Sequence, residues 1–342
     1  MNQYNGIDHV RAAFKRTFTD RVPFYAISGT YNARQYGYSI KDFLISPEVF
    51  AKCQLQFFET YNPDILVMMA DLLMEAEAAG NLLEFSDVTI CQVKKYALED
   101  KTKLSSLRVP EPQSTARLPY YIEACRIAAG EVKTSAVSSI ICGPWAIAVS
   151  LRGAQRILYD TLDDPEFVQD LMVFTTEIVK KFSLALKSVG VSVSLSEAPA
   201  SCSLISPEIY QKFIKPYHAQ LVDYYKQNKI GSSLHVCGYI DPIMEDVLDC
   251  SFGSISIDAP TSLKRMVELN QKRAVIIGNI ATDLFARGTF QQIEEAIKQC
   301  IDIAADGSAY VLATGCEIPT NSDPAKVRHF VEAAERLGKY NR

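Results

Sequence analysis

Eight short apolar runs, separated by stretches of helical periodicity, constrain this chain more than any other feature. They fall at residues 21–27, 64–69, 137–142, 191–195, 230–236, 254–257, 274–277 and 310–313. The runs are near-continuously apolar, as expected of strands covered on both faces. Strand and helix taking turns in this way predict an α/β fold, a single parallel (β/α)8 TIM barrel. At 342 residues the chain fits one such domain spanning 1–342. The intervening helices have ordinary start signals. Ser46-Pro47-Glu48 opens one reaching Tyr61, Asp164-Pro165-Glu166 opens one reaching Val189, and Ser206-Pro207-Glu208 opens one reaching Asn228. Residues 8–16, 118–130 and 289–304 read as further helices, and residues 28–32 read as the loop after the first strand. Residues 81–97 alternate apolar and polar side chains, which predicts a β-hairpin inserted into the barrel plan.

Charge and composition remove several classes of function. The net charge is −5 with no basic patch, which argues against nucleic acid as a partner. No apolar run approaches the length needed to cross a membrane, and residues 1–6 lack the basic and apolar regions of a signal peptide. Nine cysteines are scattered without a paired framework, so the expected setting is a reducing cytoplasm.

In a (β/α)8 barrel the chemistry sits at the C-terminal ends of the strands. Those ends carry Ser28, Asp71, Gly143-Pro144-Trp145, Glu197, His235, Cys237, Asp258, Asn279 and Cys316. His235 and Cys237 are two apart, so on a strand they face the same side. A nitrogen and a sulfur together suit zinc, and Cys316 at the end of the last run supplies a third ligand. The competing reading makes these cysteines small core residues. Cys250 is a rival fourth ligand, but it belongs to the opposite end of the barrel. Three protein ligands leave one position open, as catalytic zinc sites do. Two thiolates weaken the Lewis acidity of the metal. The set therefore suits a sulfur nucleophile better than a bound water, and points to alkyl transfer at sulfur rather than hydrolysis.

Glu197 is a candidate to assist the metal, orient a thiol or accept a proton, against the alternative of a solvated or salt-bridged loop carboxylate. Asp71 is a candidate to bond a ligand, against the alternative of capping a helix at residues 72–79. Asp258 reads equally as a turn former or a site residue, and Trp145 reads as packing at the barrel mouth. His9, His218 and His329 read as surface or packing residues on helices.

These residues carry a family likeness. Asp64-Ile65-Leu66 through Asp71 to Gly80, Cys142-Gly143-Pro144-Trp145, the long helix from Asp164, and Gly315 running into Asp323-Pro324 together resemble the uroporphyrinogen decarboxylase superfamily over nearly the whole chain. Within it the chain looks most like the corrinoid-dependent methyltransferase branch, whose zinc signature is H-x-C followed by a distant Cys. Here that signature reads His235-Val236-Cys237 and Gly315-Cys316-Glu317. The resemblance implies zinc, and it implies methyl transfer between a corrinoid and a thiol or other small methyl donor or acceptor. The chain carries no D-x-H-x-x-G cobalamin motif, so the corrinoid is expected on a separate partner protein. Two alternatives stand beside this one: a metal-free uroporphyrinogen decarboxylase and a non-catalytic barrel binding a corrinoid or other ligand. Against the decarboxylase, the turn after the first strand has no basic residue before Arg34 to grip a substrate's carboxylates.

Overall fold

The computed structural model describes residues 4–340; residues 1–3, part of the stretch read for a signal peptide, and residues 341–342 lie outside the described residues. Eight parallel strands form one sheet: β1 Phe24–Ile27, β2 Ile65–Met68, β3 Ala136–Cys142, β4 Ser192–Ser196, β5 Ser232–Val236, β6 Ser254–Ile257, β7 Val275–Ile280 and β8 Tyr310–Glu317. Their spatial order is β1-β8-β7-β6-β5-β4-β3-β2, which wraps the sheet into a nearly closed barrel. Between β1 and β2 the ring is completed by Asp64. Its N–H donates to the Phe24 carbonyl at 3.0 Å, and its carboxylate accepts from Phe24 N at 2.7 Å. Arg21 grips the same carboxylate with two nitrogens, at 2.6 and 2.9 Å.

Alternation along each strand divides the core in two. Phe24, Leu66, Ile141, Leu195, Leu234 and Ile255 face outward into the layer between sheet and helices. Tyr25, Ile27, Ile65, Val67, Ile140 and Ile277 face inward with Val311 and Ala313. The expected hairpin is present as an antiparallel pair, Leu82–Glu84 with Gln92–Lys95, after β2.

Four details differ from the sequence reading. Residues 28–32 are not all loop, because a short helix, Thr30–Gln35, starts inside them. Arg21 precedes β1 and makes an isolated bridge with Lys339, since Pro23 offers no N–H to the ladder. β7 continues through Gly278-Asn279 instead of stopping there, because β8 pairs with both residues. The helix opened by Ser206 is not uniform. A wide turn at Tyr210–Ile214 precedes the regular helix Lys215–Gln227. Pro216 lacks an N–H and would clash with the preceding turn of a regular helix, which is where such widened turns arise.

Candidate metal centre

β5 and β8 bring the metal-ligand candidates together at the C-terminal mouth. His235 is buried, 4 % exposed, and its Nε2 lies 3.2 Å from Cys237 Sγ. Cys237 Sγ lies 3.6 Å from Cys316 Sγ, and the three ligand atoms all fall within 4.8 Å of one another. A disulfide would put the sulfurs at about 2.05 Å. Two sulfurs bound to one tetrahedral zinc at about 2.3 Å sit roughly 3.8 Å apart. The donor set and its spacing therefore fit a zinc ion. Among the described residues no other group of His, Cys, Asp and Glu has ligand spacing.

Each ligand arrives by a different local device. Ser233 and His235 face inward on β5, so alternation carries Cys237 inward as well. Alternation fails for Cys316, because Val311 and Ala313 face inward and 316 has the opposite parity. The pairing is irregular there: from Tyr25 to Ile27, β1 advances two residues while β8 advances from Ala313 to Glu317, so Cys316 lies inside a bulge where regular alternation does not hold. The Thr314 hydroxyl fills the gap in the ladder by accepting from Ile27 N at 2.9 Å. Bulges of this kind re-aim side chains beside active sites. Asp258 fixes the loop that carries Cys237. One carboxylate oxygen accepts from Gly238 N at 2.8 Å and the other from Ala259 N at 2.7 Å, so it both forms a turn and braces the site.

The second nitrogen of His235 is also held. Nδ1 lies 2.9 Å from Ser256 Oγ on β6, leaving Nε2 toward the sulfurs. The two thiols lie within hydrogen-bonding reach of each other. Their mutual hydrogen bond pushes the Cys316 thiol down, to about 4, and the Cys237 thiol well above the ordinary range. The cavity directly against the sulfurs is small, about 30 Å³, with Met69, Leu72 and Ile140 among its walls.

Glu317, which sequence reasoning passed over, also lines that cavity. Burial pushes its carboxyl up to about 7, although Thr30 donates to it from both N (2.8 Å) and Oγ1 (3.1 Å). Glu75 went unnoticed too. It is fully buried, accepts from Cys142 N at 2.8 Å, and burial pushes it up to about 7. Position beside Cys316 was the available signal for Glu317; nothing in its sequence neighbourhood marks Glu75.

Glu197 is not a solvated loop carboxylate. It is 0 % exposed and accepts from Trp145 N at 3.1 Å and Ala146 N at 2.8 Å, at the start of the helix Pro144–Arg152. Its other partner is His218 Nε2, also at 3.1 Å. A side chain at Gly143 would collide with this carboxylate, which accounts for glycine there. His218 is thus an ion-pair member as well as a packing residue. Burial opposes its protonation, but contacts with Cys250 and Glu197 overcome that and raise it to about 9. Cys250 lies with Tyr210 and the Lys215 carbonyl and is outside the ligand cluster. Asp71 does not cap a helix at 72–79. The helix is Met74–Ala78 with Leu73 at its N-cap, while Asp71 accepts from Leu73 N at 2.8 Å and pairs with Arg117 at 2.5 Å. Trp145 is fully buried, as the mouth-packing reading expects, and its indole N–H donates to the Pro199 carbonyl at 3.3 Å.

A parallel barrel with a sulfur-rich ligand cluster at its C-terminal mouth defines the class of protein. The chain belongs to the uroporphyrinogen decarboxylase (URO-D) family, whose model matches residues 5–337. It is similar to the methylcobamide:CoM methyltransferase MtbA of Methanosarcina acetivorans, 26% identical over 274 residues, covering 78% of this chain and 77% of that protein. It is likewise similar to MtbA of Methanosarcina mazei, 23% identical, covering 98% and 99% of the two chains. A uroporphyrinogen decarboxylase from Xylella fastidiosa is 22% identical, with 97% and 99% covered. Among solved structures, a methyltransferase from Methanosarcina mazei shares the fold, with a TM-score of 0.89 at 21% identity over 98% of this chain and 99% of that one. Among the described residues no helix is long and apolar enough to cross a membrane.

Proposed function

We propose that the protein is a zinc-dependent methyltransferase. It moves a methyl group between a corrinoid, carried by a separate partner protein, and the sulfur of a small thiol. The observation that carries this reading is the convergence of His235 Nε2 with the Cys237 and Cys316 sulfurs at the barrel mouth. Zinc held there would supply the charge that keeps a substrate thiol as its thiolate at neutral pH.

The chain's own residues do the positioning. Ser256 fixes the His235 ring, Asp258 fixes the loop of Cys237, and the bulge in β8 fixes Cys316. Met69, Leu72 and Ile140 give the half-buried sulfurs an apolar surround, so a nucleophile there would be partly desolvated. A cavity of about 30 Å³ has room for one group of the size of a water or a sulfur, which suits a thin thiol entering end-on. Asp71 stays tied to Arg117, and Glu197 to His218 and two amides, so we assign both the task of holding the mouth in shape. The relatives named for methylcobamide and CoM support this reading. The buried cation near the mouth, Arg117, is committed to Asp71 and Glu77, and Arg34 is exposed, which weighs against a decarboxylase gripping several carboxylates.

The test is incubation of the zinc-loaded protein with methylcobalamin and 2-mercaptoethanesulfonate, following methyl loss from the corrinoid and appearance of the thioether. Transfer by the wild type and its loss in Cys237→Ala are expected. No exchange with free or protein-bound methylcorrinoid, together with conversion of uroporphyrinogen to coproporphyrinogen, would replace this reading with the decarboxylase.

A further inference from the structure

A large cavity lies well away from the metal ligands. It enters the barrel from the opposite, N-terminal end and measures about 420 Å³. Barrels of this type normally fill their interior with layers of bulky branched side chains. Here one half obeys that rule and the other does not. Tyr25, Ile65, Val67, Ile140 and Ile277 make an apolar wall. Across from it, inward positions on β4, β5 and β6 are serines: Ser192, Ser194, Ser233 and Ser254. Serine is far smaller than the valine or isoleucine usual at such positions, and the missing volume is the cavity.

The serine side is not simply self-satisfied. Ser194 Oγ donates to Ser233 Oγ at 3.2 Å, and Ser192 Oγ donates to the Val137 carbonyl at 3.2 Å. Ser254, 1 % exposed, lines the cavity and its hydroxyl has no hydrogen-bond partner among the described residues. That hydroxyl opens onto the cavity rather than being sealed in the wall, so an oxygen-bearing guest can bond it. Water fits the apolar wall poorly, because a buried water needs two to four polar partners and that wall offers few, the Ser138 hydroxyl and a Tyr25 hydroxyl already bonded to Ser256. A fully charged guest fits poorly too. Among the described residues the charged lining residue is Lys226, which sits at the rim, 62 % exposed and 3.6 Å from Asp223. By volume, the cavity exceeds the roughly 150 Å³ of an engineered cavity that takes up benzene.

We infer that this floor cavity is a second ligand site, taking a small uncharged molecule with an apolar body and a hydroxyl or carbonyl on one edge. The apolar body lies on the Ile65, Val67 and Ile277 wall, and the oxygen meets Ser254. The site is separate from the metal ligands and stands whether or not the methyltransferase reading holds.

The experiment uses the full chain, zinc-loaded, titrated with 2-naphthol and, separately, with naphthalene, followed by ligand fluorescence and calorimetry. Saturable binding of one 2-naphthol per chain is expected, about five- to tenfold tighter than naphthalene, which is the worth of one hydrogen bond. Ser254→Ala should erase most of that preference. Ser194→Leu, which fills the cavity, should weaken 2-naphthol binding at least tenfold while zinc content stays at the wild-type level. If Ser194→Leu does not fold, Val67→Phe fills the same space from the other wall. Failure of wild type to bind either probe saturably would overturn the inference, as would equal binding by wild type and the filled variants.

Discussion

At the scale of single residues, the account rests on three side chains that cannot replace one another. Removing either thiol leaves two ligands, too few to hold zinc firmly. Cys237→Ala and Cys316→Ala are therefore expected to retain little metal after dialysis, measured by elemental analysis against wild type. Ser256→Ala tests the support behind the ligands. It removes the contact at 2.9 Å that orients the His235 ring, and such partners are typically worth about 10–100-fold in metal affinity. A competition titration with a chromophoric chelator would read that loss directly; unchanged affinity would mean that Ser256 is a bystander. Much of this was legible in sequence. H-x-C on a strand puts both donors on one side by arithmetic, and Cys316 stood at the right strand end. Its orientation was not legible, because the bulge in β8 depends on how two distant strands pair.

At the scale of elements, the pair His218–Glu197 ties the helix Lys215–Gln227 to the helix Pro144–Arg152. Both partners are 0 % exposed. His218→Ala leaves a buried carboxylate without its partner, which typically costs about 3–5 kcal/mol, seen as a lower denaturant midpoint. The pH dependence follows from the raised pKa of about 9, against 6.5 for the ordinary group. A raised folded-state pKa means that the pair stabilises fully below about pH 6.5 and fades as pH climbs through 9. Thermal melts between pH 6 and 10 should show that decline in wild type and lack that component in His218→Gln. Sequence placed the helix opened by Ser206, but neither the helix Pro144–Arg152 nor this contact. Glu197 read either as a site carboxylate or as a solvated or salt-bridged loop carboxylate, because burial of a strand-end residue depends on what folds over it. The same limit hid the wide turn before Pro216 and the helix beginning at Thr30, short elements whose shape is set by neighbours rather than by periodicity.

At the scale of the whole molecule, eight strands and their order were readable because doubly covered strands leave continuous apolar runs. The closure of the ring was not, since it runs through the backbone N–H and carboxylate of one residue, Asp64, rather than through a ladder. The hollow floor was equally hidden, because serines in a strand look unremarkable until their facing is known. The barrel holds the three ligands on strands or directly at a strand end, so metal should add stability without being needed to fold. At free zinc 100-fold above Kd the gain is about 2.7 kcal/mol. Chelation should therefore lower the thermal midpoint by a few degrees and leave the far-ultraviolet circular dichroism unchanged. The most direct test of the central claim is zinc K-edge X-ray absorption on the protein reconstituted with one equivalent of zinc under reducing conditions. The account predicts two sulfur neighbours at about 2.3 Å and one imidazole nitrogen at about 2.0–2.1 Å, with a third sulfur appearing when a thiol substrate is added. A shell of oxygen and nitrogen alone, or a protein that retains no zinc, would contradict it.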